Sequence, residues 1–431
     1  LLSGCAYVPL NPNAPAGRNA YVLKQSGAVG MLADADYDLT GVAGDNSALR
    51  FVIGADTGVV LRQESVHAAV TVNASFDDGA YIIFTSGTTG KPKGVAITGA
   101  NLAAYLANLQ ALLDITPDDR VVHLSELSFD LSVHEIFLTW ASGAALYCIP
   151  PAAALLASRH VQEEGLTVWV SVPSVISLAH KAGMLGRDAL RSIRLAFFCG
   201  EALSLATAWH FAEAAPAARI FNLWGPTEAT VSFTYFHVDP ALSLPDIVPI
   251  GRPYAGQLLA LADDEGKPVP RGQVGELLAS GSQVTQGYWQ SPELNADKFF
   301  IRDGQRWYRT GDLAVWDERY GYCFKGRADR QVKIKGYRIE LQECETAIRE
   351  LCGRDLVCVI PWPNSDDGTA AGLVAFVCAE SIDETAMKAT LATRLPAYMI
   401  PARIVALREF PFNANGKVDY KAVGALCADL L

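Results

Sequence analysis

The chain has 431 residues, half of them hydrophobic and 19% charged, which suits a globular protein of two or three domains with a sizeable core. A net charge of −11 with no basic block argues against nucleic acid as the main partner. Nine cysteines, an odd number with no C-x-x-C pair, speak against a zinc ribbon or a disulfide framework and suit buried reduced thiols in a cytoplasmic protein.

The chain starts without Met and in mid-element, so it reads as truncated at its start, and LLSGCAYVPL has neither the charged n-region nor the long apolar core of a signal peptide. LRFVIGA is a predicted strand. In YIIFTSGTTGKPKG, residues 81–84 are a short β-branched and aromatic run, again a strand. The loop after it offers small hydroxyls, two glycines able to take positive φ, and Lys91 and Lys93 around Pro92. Such a loop can surround a polyanion with backbone donors and ammonium groups. Its spacing is not that of a Walker loop, and the stretch alone also reads as a plain surface loop.

Next come the periodic NLAAYLANLQALL, a helix, and the most apolar window, residues 138–157. Gly143 and Pro150-Pro151 interrupt that window, which predicts a buried strand, a turn and a helix start rather than a membrane span. TVWVSVPS, LAFFCG and ARIFNLWG are further strands, with the helical SVISLAHKAGML among them. Strand and helix in alternation predict parallel β/α layers, with ligand-binding loops at the strand C-terminal ends. From Pro249 to about Phe324 short strands with Gly, Pro and Asp turns predict a β-rich barrel or sheet. From about Asp329 the amphipathic RIELQECETAIREL, the strands LVCVIP and LVAFVCAE and the helical IDETAMKATLATRL predict a small α+β domain. The expected division is therefore residues 1–328 and 329–431.

Four further segments carry chemistry. NLWGPTEATV places Glu228 after a Gly-Pro turn, where a carboxylate beside phosphates could hold magnesium or could simply cap a helix. YRTGDLA places Asp312 after a tight turn, able to accept from a ribose diol or to sit solvated. GRADRQVKIKGYRIE alternates charges with Val332 and Ile334, as an exposed hairpin does. In NANGKVDY, Asn415-Gly416 is a hairpin turn signal that puts Lys417 at a tip.

Together these segments resemble the adenylate-forming (ANL) superfamily, most closely the amino-acid adenylation domains of nonribosomal peptide synthetases. GCAYVPLNP, FTSGTTGKPKGV, FDLSVHEIF, NLWGPTEATV, GELLASGSQVTQGYW, YRTGDL, GRADRQVKIKGYRIE and NGKVD carry the resemblance, in the family's order and across essentially the whole chain. It implies a large, layered N-terminal domain, here truncated, with a β-rich subdomain, and a small mobile α+β C-terminal domain. It also implies two half-reactions. An amino-acid carboxylate attacks the α-phosphate of ATP, with Mg²⁺, giving aminoacyl-AMP and pyrophosphate. The phosphopantetheine thiol of a peptidyl carrier protein then takes the aminoacyl group.

The resemblance assigns roles residue by residue. Thr85, Ser86, Gly87, Thr88, Thr89, Gly90 and Lys93 would enclose the β- and γ-phosphates. Glu228 would hold Mg²⁺, next to Gly225 and Thr227 of the same nucleotide-binding turn. Asn222, Trp224 and the turn of Gly200, Glu201 and Ala202 would frame adenine, and Asp312 and Arg327 would hold the ribose. Lys417 would bridge the substrate carboxylate, ribose and α-phosphate, reducing repulsion between two anions. Asp329 matches the family's hinge, and Gly336 would replace Lys417 at the site in the thioester-forming state.

Asp130 would pair with the substrate α-ammonium, although an N-cap is the rival reading for any lone Asp. Leu131, His134, Val170, Phe197, Cys199, Leu223, Val231 and Ser232 would line the side-chain pocket. That lining predicts a neutral amino acid of small to medium size, with room for one polar group near His134 and Ser232; an acidic chain paired with protonated His134 is the less favoured alternative.

Three departures from the family pattern stand out. Trp224 replaces the usual Tyr; Gly99 replaces a His before the helix and could loosen its start; and no Gly-Gly-x-Ser carrier motif follows Lys417, so the carrier lies downstream or on another chain. An MbtH-like accessory protein is a further partner that the family sometimes needs. The rivals are an acyl- or aryl-CoA synthetase, disfavoured by Asp130, and a non-catalytic docking module, disfavoured by Lys417, Asp312, Glu228 and Arg327.

Overall fold

The computed structural model describes residues 4–33, 41–42, 51–54, 60–63, 78–87, 90–150, 156–364, 370–412 and 418–430. Two compact units make up the chain. One comprises Leu1–Ala74, Phe84–Gly94 and Arg338–Leu431, the other Ser75–Ile83 and Val95–Tyr337.

The second unit is built on a seven-stranded sheet. In spatial order its strands are Arg252–Pro253, Thr234–Val238, Arg219–Trp224, Leu195–Phe198, Val168–Ser171, Arg120–His123 and Ala145–Cys148. The five strands from Arg219–Trp224 to Ala145–Cys148 run parallel, Thr234–Val238 is antiparallel to Arg219–Trp224, and Arg252–Pro253 is antiparallel to Thr234–Val238. The central runs VWVS and LAFF are buried throughout, as strands covered on both faces must be. Trp169, Ala196, Phe198 and Ile220 point to one face, into a core with Ile176, Leu203, Ala208 and Phe211. Val170, Phe197, Cys199 and Leu223 differ from these by odd steps and so belong to the opposite face. Gly200 and Gly225 lie within two residues of the ends of two of the parallel strands, at the carboxyl edge where open α/β sheets bind ligands.

The window at residues 138–157 departs from expectation in two ways. Leu138–Ala141 forms the end of a helical stretch, and the strand Ala145–Cys148 is the sheet's edge strand, part exposed rather than buried. A short apolar run cannot by itself tell an edge from a centre. Among the described residues no helix is long and apolar enough to cross a membrane.

An antiparallel five-stranded sheet carries the Asp312 segment: Leu258–Ala262, Gly275–Ser280, Gln305–Asp317 and Phe299–Arg302 in order, with Gly321–Arg327 also on Gln305–Asp317. A three-stranded sheet orders Gly287–Tyr288, Lys93–Thr98 and Gly79–Thr85. Helix Gly99–Leu112 follows. Its start does not suffer from Gly99, because Thr98 and Asn101 form a reciprocal capping box, Thr98 Oγ1 accepting from Asn101 N–H at 3.1 Å and Asn101 Oδ1 from Thr98 N–H at 3.1 Å.

The first unit holds the short sheet Gly30–Ala33, Phe51–Gly54 and Val60–Gln63 and a C-terminal α+β part. There Val357–Asn364, Ala370–Cys378 and Arg403–Leu407 form a sheet. Its apolar core joins Cys358, Ile360, Val374 and Phe376 to Val423 and Cys427 of helix Tyr420–Leu430. None of the nine cysteines is in a disulfide.

Candidate active site

Strand Arg219–Trp224 ends in a loop that turns back on itself. A Cβ on Gly225 would lie 2.5 Å from Ser232 Cα, so no larger residue fits there. Two β-branched residues of the loop, Thr230 and Val231, take φ of 58° and 66°, a strained left-handed conformation costing about 1–3 kcal/mol each. Neighbouring groups hold it. Thr230 Oγ1 donates to the Gln283 carbonyl at 2.6 Å, and Gln283 Nε2 donates to the Ser232 carbonyl at 2.8 Å. Glu228, in the short turn Thr227–Ala229, is fully buried, and Tyr288 Oη donates to its Oε1 at 2.7 Å.

Asp312 is gripped from two sides. Trp224 Nε1–H donates to Oδ2 at 3.0 Å and Arg327 Nη1–H to Oδ1 at 2.6 Å. Asp312 and Arg327 face each other across an antiparallel pair, and the preceding Gly311 leaves room: a Cβ there would sit 2.5 Å from Arg327 Nη2. Arg327 also binds both oxygens of Asp329, each at 2.7 Å. Asn222 Nδ2 donates to the carbonyls of Val248 and Pro249, and its buried Oδ1 has no hydrogen-bond partner among the described residues.

After strand Leu195–Phe198, Glu201 in the turn Gly200, Glu201, Ala202 joins two elements. Its Oε2 accepts from Ser174 N–H at 2.9 Å, and its Oε1 from Gly336 N–H at 2.6 Å. Gly336 and Lys335, with φ of 81° and 51°, form the two-residue turn between strands Gln331–Ile334 and Tyr337–Glu340. The predicted thioester-state glycine and the predicted adenine-framing turn thus meet.

On the sheet face that carries Val170 and Phe197, the His134 ring lies 5.4 Å from that of Phe197, and Cys199 Sγ–H points at the Val231 carbonyl, 3.9 Å away. Leu131 and His134 belong to a helical stretch whose residues His134–Leu138 form a π-helical turn, a distortion common at functional sites. Asp130 precedes it, half-buried, and makes no capping hydrogen bond, so the N-cap reading fails. Burial pushes the Cys199 thiol up to about 12; nearby Lys333 opposes the shift and the Asp130 charge adds to it. Burial also holds His134 neutral, its pKa brought down to about 3.

The glycine-rich loop belongs to the first unit. Ser86 Oγ donates to the Arg338 carbonyl at 2.6 Å and accepts from Glu340 N–H at 3.1 Å. Gly87 N–H donates to Glu343 Oε2 at 3.3 Å, while Glu343 Oε1 pairs with Arg18 at 2.6 Å. The buried Thr85 Oγ1 has no partner among the described residues. Gly90 (φ 80°) lies against Thr346, and Lys93 opens strand Lys93–Thr98. Thr88, Thr89 and Lys417 lie outside the described residues.

A family model described as AMP-binding enzyme matches residues 1–289. The chain belongs to the AMP-binding enzyme family. It is 33% identical over 437 residues to a plipastatin synthase of Bacillus subtilis (strain 168), covering 99% of this chain and 16% of that protein. It is 34% identical over 436 residues to the D-alanine--D-alanyl carrier protein ligase of Lactiplantibacillus plantarum, covering 98% of this chain and 84% of that one. Among solved structures, the Vibrio cholerae adenylation domain AlmE in complex with glycyl-adenosine-5'-phosphate superposes with a TM-score of 0.86 at 32% identity, covering 99% of this chain and 85% of that one. The chain is thus an adenylate-forming ligase of the ANL fold, related to nonribosomal peptide synthetase adenylation domains, and it spans only about a sixth of the length of the plipastatin synthase it matches.

For this adenylate-forming ligase, the donor set suits magnesium. Among the described residues no cluster of three or more His, Cys, Asp or Glu forms a metal cage. Magnesium needs none: it takes one or two carboxylates together with substrate phosphates and water, and Glu228 is such a buried carboxylate. Tyr105 and Tyr254 hydrogen-bond to residues of the expected pocket yet sit in no quoted motif, and Gln283, which braces Ser232, lies in GELLASGSQVTQGYW without that role being signalled by the sequence.

Proposed function

We propose that the ligase activates a neutral α-amino acid as its aminoacyl-AMP and passes it to the phosphopantetheine thiol of a peptidyl carrier protein in nonribosomal peptide synthesis. The observation that carries the amino-acid reading is Asp130. Its half-buried carboxylate caps no helix and makes itself felt at Cys199, beside an apolar lining of Leu131, Val170, Phe197 and Leu223. A carboxylate at that position suits a substrate that brings an ammonium group better than one that brings none. This disfavours the acyl- and aryl-CoA synthetase reading.

On this reading the nucleotide residues take the following parts. The unpartnered Asn222 Oδ1 accepts from the adenine amino group, and Trp224 and the Gly200-to-Ala202 turn bound the base. Asp312, preset by Trp224 and Arg327, accepts from the ribose hydroxyls. Thr85, Ser86, Gly87, Thr88, Thr89, Gly90 and Lys93 bind the outer phosphates, Gly225 and Thr227 shape the turn that carries Glu228, and Glu228 would hold Mg²⁺. Magnesium, when bound, supplies charge neutralisation at the phosphates. The substrate carboxylate attacks the α-phosphorus, the bond to the bridging oxygen of pyrophosphate breaks, and Lys417 offsets the repulsion between the two anions. Phosphoryl transfer asks the chain chiefly for such positioning. The carrier thiol then attacks the activated carbonyl and AMP leaves. Residues 329–431 would turn about Asp329 between the two steps, with Gly336 entering for the second. The carrier, and an MbtH-like helper where one is needed, would be supplied elsewhere in a longer cytoplasmic protein or in trans.

The test is ATP–pyrophosphate exchange over a panel of amino acids and simple carboxylic acids. Exchange driven by amino acids alone is expected, and Lys417→Ala is expected to cripple it while ATP binding changes far less. Exchange driven equally by simple acids would overturn the amino-acid reading.

A further inference from the structure

Four buried side chains form one hydrogen-bonded chain. Tyr254 Oη lies 2.8 Å from Ser232 Oγ, Ser232 Oγ lies 3.4 Å from Tyr105 Oη, and Tyr105 Oη lies 2.6 Å from His134 Nδ1. His134 is 1% exposed, and its Nε2 has no hydrogen-bond partner among the described residues.

The protons can run along this chain in two directions. In one, Tyr254 donates to Ser232, Ser232 to Tyr105, and Tyr105 to Nδ1. Every hydroxyl proton is then used, and His134 carries its own hydrogen on Nε2. In the other, His134 donates from Nδ1 and the sense reverses. The Tyr254 proton is then left with no acceptor among the described residues, and Nε2 becomes an unpartnered acceptor as well. The first direction leaves one buried group unsatisfied and the second leaves two, and buried polar groups are rarely left unsatisfied. The first is therefore the arrangement of the chain, and chains polarised in one sense also strengthen each other. Burial, which keeps His134 neutral, agrees with a single ring proton.

What remains is an N–H donor on His134, beside Phe197, with nothing among the described residues to accept from it. Resting on the amino-acid reading above, we infer that the substrate side chain carries an uncharged oxygen acceptor, a hydroxyl or an amide carbonyl, that receives the Nε2–H of His134, and that Tyr105, Ser232 and Tyr254 are positioning residues that set this tautomer. Ser232 is already committed to two tyrosines and is not the group that reads the substrate. An anionic side chain would need a cation, and a neutral His134 is not one. A purely aliphatic side chain would leave the donor as it stands, and sites built to hydrogen-bond a substrate reject analogues that cannot reciprocate far more strongly than they reject a missing methylene.

The test uses near-isosteric pairs in pyrophosphate exchange: threonine with valine, asparagine with leucine, glutamine with methionine. In at least one pair the oxygen-bearing member is expected to exceed its partner at least 100-fold in kcat/KM. Tyr105→Phe, which frees His134 to hold its proton on Nδ1, is expected to cut that preference at least tenfold. Preference for the apolar member in every pair, or an undiminished preference in Tyr105→Phe, would overturn the inference while leaving amino-acid activation standing. Exchange with no amino acid at all would instead overturn the amino-acid reading and this inference with it. Should Tyr105→Phe fail to fold, nitrogen NMR of ¹⁵N-histidine-labelled wild type decides: a protonated Nε2 at His134 is expected, and a protonated Nδ1 refutes the proton order.

Discussion

Gly336→Ala separates the two half-reactions. Gly336 occupies the second position of a two-residue hairpin turn at φ 81°, where an L side chain costs about 1–2 kcal/mol. A Cβ added there would lie 2.7 Å from Val172 Cγ1. Valine is stiff about χ1, so relieving that contact means overpacking worth about 1–3 kcal/mol. The methyl would also push the turn away from Glu201, whose carboxylate accepts from Gly336 N–H at 2.6 Å. Together about 2–5 kcal/mol is set against the arrangement seen here, a factor of roughly 30 to several thousand at 1.4 kcal/mol per tenfold. If this arrangement serves thioester formation, transfer of labelled amino acid to a carrier protein should fall at least 30-fold. Pyrophosphate exchange, which reports only the first half-reaction, should change by less than about threefold. A parallel fall in both assays, or unchanged loading, would refute the assignment of Gly336 to the second step.

Stability should depend on pH through His134. Unfolded, its imidazole titrates near about 6.5; folded, burial depresses it to about 3. Above pH 6.5 neither state binds the proton and the full stability is present. Between these values the unfolded state takes up a proton that the folded state refuses, so stability falls with falling pH by at most about 1.4 kcal/mol per unit. Urea midpoints at pH 7.5 and 5.5 should therefore differ more in wild type than in His134→Gln, and equal differences would sink the argument. Trp224→Phe removes one of two donors to the buried Asp312 and should raise the ATP KM several-fold with little change in the amino-acid KM; equal changes would show that the indole does not position the ribose site. Glu343→Gln weakens both the Arg18 pair and the acceptor on Gly87 N–H. It should lower unfolding stability by about 1–3 kcal/mol while lowering the ATP KM, because the loop donor is released for phosphate. A raised ATP KM would mean that Glu343 shapes the loop rather than competes with its ligand.

Much of the fold, including the turns that carry the proposed nucleotide residues, was legible in the sequence because the signals are local. Alternating apolar strands and amphipathic helices such as Leu341–Cys352 declare themselves by period. The turns at Gly225, Gly311 and Lys335-Gly336 declare themselves by residues that tolerate close approach or positive φ. Leu138–Ala141 was misplaced because a run of apolar side chains has the same appearance in a buried helix and a strand.

What only the tertiary structure decided is which local pieces face each other. The indole of Trp224 and the carboxylate of Asp312, 88 residues apart, meet because their strands end at one place, and Tyr105 reaches Ser232 across 127 positions. Thr230 and Val231 hold backbone angles that their own branching opposes, which only surrounding contacts can enforce. Periodicity and turn chemistry act within a few residues, so the chain spells them out. The direction of a hydrogen bond and the protonated edge of a buried ring depend on every group packed around them, so they exist only once the chain has folded.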